Sequence, residues 1–308
     1  MHTQCTLTCR LWGCFMKKLT DNYEEVEAHR LKMFKSIAKG NKDADLKVIS
    51  LGMGIQSTAV YLMSSMGILP RADYAIFADP QAEHYKTYQM LDWLLEWKDK
   101  NNGIEIIVNR DYNLLEDVLN NVNARGKNWV TIPAFGDRDG INMRQCKSDY
   151  KVKPVNQTIR KLHELAPRKR MKPTELWLGI SLDEIERVKE TREYNITFFY
   201  PLLYKGMSRN DCVDFFKENN FPVPVKSACV FCPFHSNKFW SGIQKENGDA
   251  WEKSIKVDRA IRKATHPRTG EREVFYLHPS KRPLEEIDFD DGQESLFEGY
   301  DCEGYCGL

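Results

Sequence analysis

The sequence predicts an α/β protein: an open, mainly parallel, twisted sheet with helices on both faces, plus a smaller Cys-containing C-terminal region. Two observations predict it. Short apolar runs rich in β-branched residues alternate with segments of helical spacing between residues 46 and 202, the pattern of strands joined by covering helices. The first run leads through a glycine turn directly into a helix, a strand-loop-helix unit.

LKVISL (46–51) is the first predicted strand, Gly52-Met53-Gly54 the turn, and STAVYLMSSMG (57–67) the helix. YAIF (74–77) is a second buried strand, an amphipathic helix runs from Tyr85 to about Lys98, and IEIIV (104–108) is the third strand. Residues 111–150 are less regular, with FGDRDG (135–140) as a loop, and KPVNQTIRKLHEL (153–165) returns to helical spacing. APRKRMKP (166–173) is a basic, Pro-flanked surface turn, and ELWLGI (175–180) and NITFFYPL (195–202) are further strands. Helix signals then mix with Cys, Pro and His, and the acidic stretch 280–300 is expected to be loose. Three regions follow: an extension and charged helix over 1–45, a core over 46–205, and a Cys-rich helical region over 206–308.

With 42% hydrophobic and 11% aromatic residues over 308 positions, the chain can bury a real core, so disorder is not the default. Its 45 basic and 44 acidic residues leave a charge of +1, which excludes a global field directed at nucleic acid or a membrane surface. No apolar run approaches the roughly 20 residues of a membrane helix, and the first residues, MHTQCTLTCRLWGCF, lack the features of a secretory leader. A cytoplasmic protein without a membrane partner is expected. Nine cysteines, an odd number and widely spaced, favour metal or redox chemistry over a disulfide framework. Cys5, Cys9 and Cys14 precede Met16, in a segment that reads as a tail or as a start placed too early.

In the glycine turn, small residues let backbone N–H groups approach phosphate oxygens while the helix N-terminus adds a favourable dipole, and Ser57 and Thr58 place hydroxyls beside it. The turn is neither a Walker A loop nor a dinucleotide fingerprint, and glycine spacing alone is equally the mark of a tight turn without a ligand. SLGMGIQST (50–58) resembles the pyrophosphate-binding loop of PP-loop enzymes, usually SGGxDS, with Gly52 for the first Ser, Met53 for a Gly and Gln56 for the Asp. FADPQAE (77–83) is similar to the FxDTGxE block of phosphoadenosine-phosphosulfate reductases, and GISLDEIER (179–187) looks like the family segment that completes the nucleotide pocket. The three blocks occur in the family's order, each at a strand end. The chain thus resembles the PP-loop adenine-nucleotide alpha-hydrolase (HUP-type) superfamily. That resemblance implies a site for ATP or phosphoadenosine-phosphosulfate, with Mg2+, built from Gly52, Gly54, Gln56, Ser57, Thr58, Asp79, Glu83, Asp183 and Arg187.

CVFCPF (229–234) presents two thiols at a spacing suited to one metal or one redox pair. In RQCKSDYKVKP (144–154), Cys146 lies beside Arg144, Lys147 and Lys151, which favour a thiolate; a buried small residue is the alternative. Both stretches resemble superfamily members that carry an iron-sulfur cluster and transfer sulfur, which implies Cys146, Cys229 and Cys232 as ligands of a 4Fe-4S cluster and Cys146 at the chemistry. A structural zinc on Cys229 and Cys232 with Cys302, Cys306 or His235 is the competing reading. The ending DCEGYCGL is similar to the reductases' C-terminal motif, which implies Cys306 as a nucleophile; a zinc ligand or an unused tail are its other readings. Cys212, Trp177, Phe198 and Phe199 are expected in the core. Arg168, Lys169 and Arg170 are a solvated turn or a contact to nucleic-acid phosphate.

The first expectation is an enzyme that cleaves ATP at the alpha phosphate to adenylate an acceptor for sulfur transfer, with nucleic acid as a possible acceptor and a protein as sulfur donor. The alternatives are a phosphosulfate reductase using Cys306 and a catalytically silent nucleotide-binding scaffold.

Overall fold

The computed structural model describes residues 40–126, 130–138, 140–142, 144–166, 168–189, 195–264 and 273–289. β1 (Leu46–Ser50), α1 (Ile55–Ser65), β2 (Tyr74–Ala78), α2 (Tyr85–Asn101) and β3 (Glu105–Asn109) form two successive βαβ units. α3 (Leu114–Leu119) and the two-residue β4 (Phe135–Gly136) follow. A π-helical turn over Ser148–Val152 then runs directly into α4 (Lys153–Leu162). β5 (Thr174–Trp177), a 3-10 segment (Leu182–Arg187), β6 (Ile196–Phe199), α5 (Pro201–Lys205) and α6 (Arg209–Glu218) complete the first layer system. α7 (Asn237–Glu246), α8 (Asp249–Ile261) and β7 (Phe275–Tyr276) lie beyond it.

The main sheet has the order β3-β2-β1-β5-β6 and every pairing in it is parallel. In register, Ile49 stands between Ala75 on β2 and Trp177 on β5. Successive residues of a strand face opposite sides, and the packing follows that alternation. Ile49, Ala75, Phe77 and Trp177 join one core with α1, α2 and α6, whereas Val48, Ile76 and Leu176 join another that includes Val155 and Ile159 of α4. Helices therefore cover both faces, as the continuous apolar character of the strands requires.

Helix ends are fixed by local chemistry. The His84 ring accepts from the Lys86 amide at the start of α2, Asn113 caps α3, and Ser208 and Asp211 form a reciprocal capping box on α6. α1, like α4, α5 and α8, has no side-chain cap: it begins at Gly54, which offers no side-chain acceptor to its first-turn N–H groups.

A third core gathers residues far apart in sequence, including Leu114, Ile132 and Tyr150 from one stretch and Phe231, Trp240, Val257 and Leu277 from another. Phe135 and Gly136, expected in a loop, instead pair antiparallel with Tyr276 and Phe275. Leu284, Ile287 and Phe289 are buried and the Leu284 amide donates to Asp258, so side chains from 284–289 anchor to the third core where a loose tail was expected. The expected helix over 17–34 and Cys5, Cys9, Cys14, Cys302 and Cys306 lie outside the described residues. Among the described residues no helix is long and apolar enough to cross a membrane.

Candidate functional site

The chain leaves β1 toward β2 on one side and returns only later to β5 on the other. The loops after β1 and β5 therefore part, and in open α/β sheets such a parting leaves a crevice beyond the strand ends. A cleft of about 640 Å³ lies there, lined by Gly52, Gly54 and Ser57 after β1, by Gly179 and Arg187 after β5, and by Arg209, Lys226 and Ser227.

The β1–α1 turn is shaped by its neighbours. Met53 adopts a left-handed φ of 61° with its side chain 1% exposed in the core. A left-handed non-glycine residue costs roughly 1–2 kcal/mol; burying its side chain returns roughly 1.5–3 kcal/mol, so the core holds the turn in place. Gly179 is required by close approach, since a Cβ there would sit 2.6 Å from the Ser57 nitrogen. Gly54 has the opposite character. Its φ of −88° is ordinary and a Cβ there would meet nothing within 4 Å, so no neighbour in the fold demands a glycine and the open space belongs to the cleft.

Arg187, Arg209 and Lys226 bring positive charge to the cleft against one acidic group, Glu184, which pairs with Arg187 at 2.8 Å. Burial raises the Glu184 pKa, and Arg187 counters that shift. Arg209 is aimed from two sides: its Nη1 donates to Gln56 Oε1 at 3.3 Å, and its amide donates to Asp183 Oδ2 at 2.9 Å. Ser181 closes the network by donating to Asp183 at 2.9 Å. The balance of charge favours an anion.

Gly52, Gly54, Gln56, Ser57 and Arg187 line this cleft as the resemblance implies. Four other expected residues do not. Thr58 is fully buried on α1 and its hydroxyl finds no partner. Asp79 is enclosed by Arg110 Nε at 2.8 Å, Tyr88 Oη at 2.9 Å and the Gln81 amide at 2.8 Å, so it holds the β2–α2 turn. Asp183 orients Arg209 and lines no cleft described here. Glu83 has a fully buried side chain that binds Lys151 at 2.9 Å and accepts from Ser227 at 3.0 Å. Asp79 and Asp183 are engaged and Glu184 is paired with Arg187.

A second slot of about 440 Å³ shares Ser50 and Gly52 with the first cleft. Its walls are mostly apolar, from Leu51, Ile76, Ala78, Val155 and Leu176, and its polar groups include Asn156 and Lys151.

The chain is similar to the crystal structure of phosphoadenylyl-sulfate (PAPS) reductase from Candida auris in a phosphate complex, at 13% sequence identity over 59% of this chain and 76% of that chain, with a TM-score of 0.38. The likeness is distant. No protein-family model matches the chain, and no curated protein does.

A third pocket, of about 450 Å³, brings Cys146, Cys229 and Cys232 to one wall system together with Arg144, Lys147 and Lys151. Cys146 donates its amide to Thr131 and stands just before the π-helical turn. The Cys229 backbone bridges Glu83, the Val230 amide donates to Ala82 at 2.9 Å, and the Cys232 amide donates to the Cys229 carbonyl at 3.0 Å. His235 Nε2 lies 2.8 Å from the Cys229 carbonyl, and the ring stacks on Phe239 at 3.5 Å. Burial pushes the His235 pKa down to about 3, so the neutral ring carries its proton on Nε2 and donates it to that carbonyl, bracing the CxxC turn.

Cys212 is a fully buried core residue whose pKa burial raises to about 12. No three His, Cys, Asp or Glu side chains among the described residues converge as ligands of a single ion. Cys146, Cys229 and Cys232 line one pocket beside three cations, a donor set of the chemical kind that iron-sulfur clusters take. The zinc reading that draws on Cys302 or Cys306 lies outside the described residues.

The motif blocks do not reveal Arg209, Lys226 or Ser227. The nearest signals are the Ser208–Asp211 capping box, which puts Arg209 at a helix start, and the place of Lys226 three residues before Cys229. The basic turn at Arg168–Arg170 precedes β5, so it lies at the end of the sheet away from the cleft.

Proposed function

We propose that the chain is an enzyme that binds an adenine nucleotide across the end of β1 and uses it for sulfur transfer at the cysteine pocket. The phosphates lie on the β1–α1 turn among Arg187, Arg209 and Lys226, and the base enters the apolar slot. The observation that carries this reading is that neighbouring cavities share wall residues. Ser50 and Gly52 belong to both the cationic cleft and the slot, and Lys151 belongs to both the slot and the cysteine pocket.

In this reading ATP is attacked at the alpha phosphorus by an acceptor oxygen, pyrophosphate leaves, and sulfur then displaces AMP from the adenylated acceptor. The uncapped N–H groups of the first turn of α1 and the three cations stabilise the charge on the phosphates and on the leaving pyrophosphate. Gln56 and Asp183 hold Arg209 for that purpose. Cys146, Cys229 and Cys232 would hold an iron-sulfur cluster, which when bound supplies a site for the sulfur to be transferred. A nucleic acid is the proposed acceptor and a sulfur-carrying protein the proposed donor.

The test is anaerobic purification with iron, zinc and sulfide analysis and a visible spectrum, repeated on Cys229→Ala/Cys232→Ala, alongside calorimetric ATP binding and pyrophosphate release with RNA and DNA acceptors. The expected result is iron that is lost in the variant, ATP binding, and acceptor-dependent pyrophosphate release. Stoichiometric zinc would sink the cluster chemistry, and absence of ATP binding would sink the nucleotide reading.

A further inference from the structure

We propose that Glu83 is a positioning residue that makes occupancy of the nucleotide cleft felt at the cysteine pocket. The inference rests on the nucleotide reading above and extends it to a residue that touches neither ligand.

The Glu83 side chain is fully buried, and its two oxygens have different partners: Oε1 pairs with Lys151 Nζ at 2.9 Å and Oε2 accepts from Ser227 Oγ at 3.0 Å. Withdrawing a carboxylate and an ammonium from water costs several kcal/mol per ion, and an apolar replacement of similar volume often matches such a pair in stability. General stability is thus a weak reason for a charge here. What this pair does is tie together walls of all three cavities. Ser227 is on the phosphate cleft next to Lys226, and Lys151 is on both the base slot and the cysteine pocket. The Glu83 backbone also bridges Cys229, two residues beyond Ser227.

The segment 226–232 thus begins in the phosphate cleft and ends in the cysteine pocket, with Glu83 beside its midpoint. The second arm contains a turn whose register lies one residue from that of an ordinary α turn. Lys151 belongs to a π-helical turn that continues directly into α4, and a π turn differs from an α turn by one residue of register. Coupling between sites needs a two-state element, the part this turn would play. An anion drawn to Lys226 and to the first turn of α1 shifts Ser227 against Glu83. The carboxylate passes that shift to Lys151, whose turn directly follows Cys146 and Lys147. Nucleotide binding in this way sets the spacing of Cys146 against Cys229 and Cys232.

Hydrogen exchange along the full chain, with and without ATP, tests this in the wild type, Glu83→Gln and Ser227→Ala. In the wild type ATP is expected to slow exchange in 50–58, 144–152 and 229–232 by about 5-fold or more, the low end of ordinary coupling between sites. In Glu83→Gln the response at 50–58 persists, because Glu83 does not line the cleft, while the responses at 144–152 and 229–232 are lost. Ser227→Ala removes only one hydroxyl from the link, so it carries the test if Glu83→Gln fails to fold, and it should weaken the response at 144–152. The same response in all three proteins, or a wild-type response confined to 50–58, overturns the coupling while leaving the nucleotide reading intact. No response anywhere, with no ATP binding, overturns the nucleotide reading and the coupling with it.

Discussion

Gly179 and Ser57 meet backbone to backbone: a Cβ on Gly179 would lie 2.6 Å from the Ser57 nitrogen and 2.8 Å from its Cα. Backbone cannot swing away as a flexible side chain can, so Gly179→Ala must push the first turn of α1 out of place. Overpacking of this kind costs about 1–3 kcal/mol, and ATP affinity is expected to fall roughly 10-fold or more, since about 1.4 kcal/mol is a factor of ten. Gly54→Ala provides the contrast. Its Cβ meets nothing in the protein, so melting should drop only by the value of a poorer helix cap, about 1 kcal/mol or less, while ATP affinity still falls. Calorimetry and thermal melting on both variants check this; equal ATP binding by wild type and Gly54→Ala would count against a ligand in that space.

Arg209 is held by Gln56 and Asp183 before any ligand arrives. Arg209→Ala removes a charge-assisted hydrogen-bond donor, a loss of about 1.5–3 kcal/mol or roughly 10- to 100-fold in ATP affinity. Arg209→Lys keeps the charge without the planar fork and should fall between wild type and Ala. Because part of the effect is long-range, titrations at high salt should narrow the difference between Lys and Ala.

Thr58 follows the cleft-lining Ser57 on α1 and is itself fully buried. Its hydroxyl is buried and finds no partner, a state that costs about 1–3 kcal/mol for a polar group out of water. Thr58→Val keeps the shape and removes the unsatisfied oxygen, so chemical denaturation should show a gain of about 1 kcal/mol with ATP affinity unchanged. A large loss of affinity would return Thr58 to the nucleotide site that the motif implies.

Much of the sheet was legible because it depends on short-range pattern. LKVIS, YAIFA and EIIVN are strands within a residue or so of their expected limits, since residues buried on both faces leave a continuous apolar run. ELWLGI was over-read: the strand ends at Trp177, the Leu178 amide makes one further bond to the Phe199 carbonyl, and Gly179 then passes close to Ser57. The third core was not legible, because Phe135 meets Tyr276 across about half the chain and two-residue strands leave no periodicity. The glycine turn after β1 was readable as a turn because it answers to backbone geometry. The motif gives Asp79 and Glu83 by residue type and carries nothing about the direction of their side chains. Asp79 is taken by Arg110, 31 residues on, and Glu83 by Lys151, 68 residues on, and neither partner is visible locally.

His163 gives the fold a pH dependence whose sign can be worked out. Thr174 Oγ1 donates to the Lys172 carbonyl and lies 2.8 Å from His163 Nε2, so that nitrogen carries a proton and donates to the hydroxyl oxygen. Burial, and then Lys172, lowers the His163 pKa from its ordinary 6.5. The unfolded chain therefore takes up a proton at this residue before the folded chain does. Where the unfolded state binds more protons, stability rises with pH. The contribution is fully present above about pH 6.5 and is lost as pH falls from there through the lower folded-state value. Burial raises the pKa of Glu175 and Asp258, and these act in the opposite sense near the carboxylate range. Urea unfolding of wild type and His163→Gln between pH 5 and 8 isolates the histidine. The variant is expected to be less stable than wild type at pH 8 and to lose less stability on acidification. Parallel pH profiles would show instead that the ring titrates as it does in the unfolded chain.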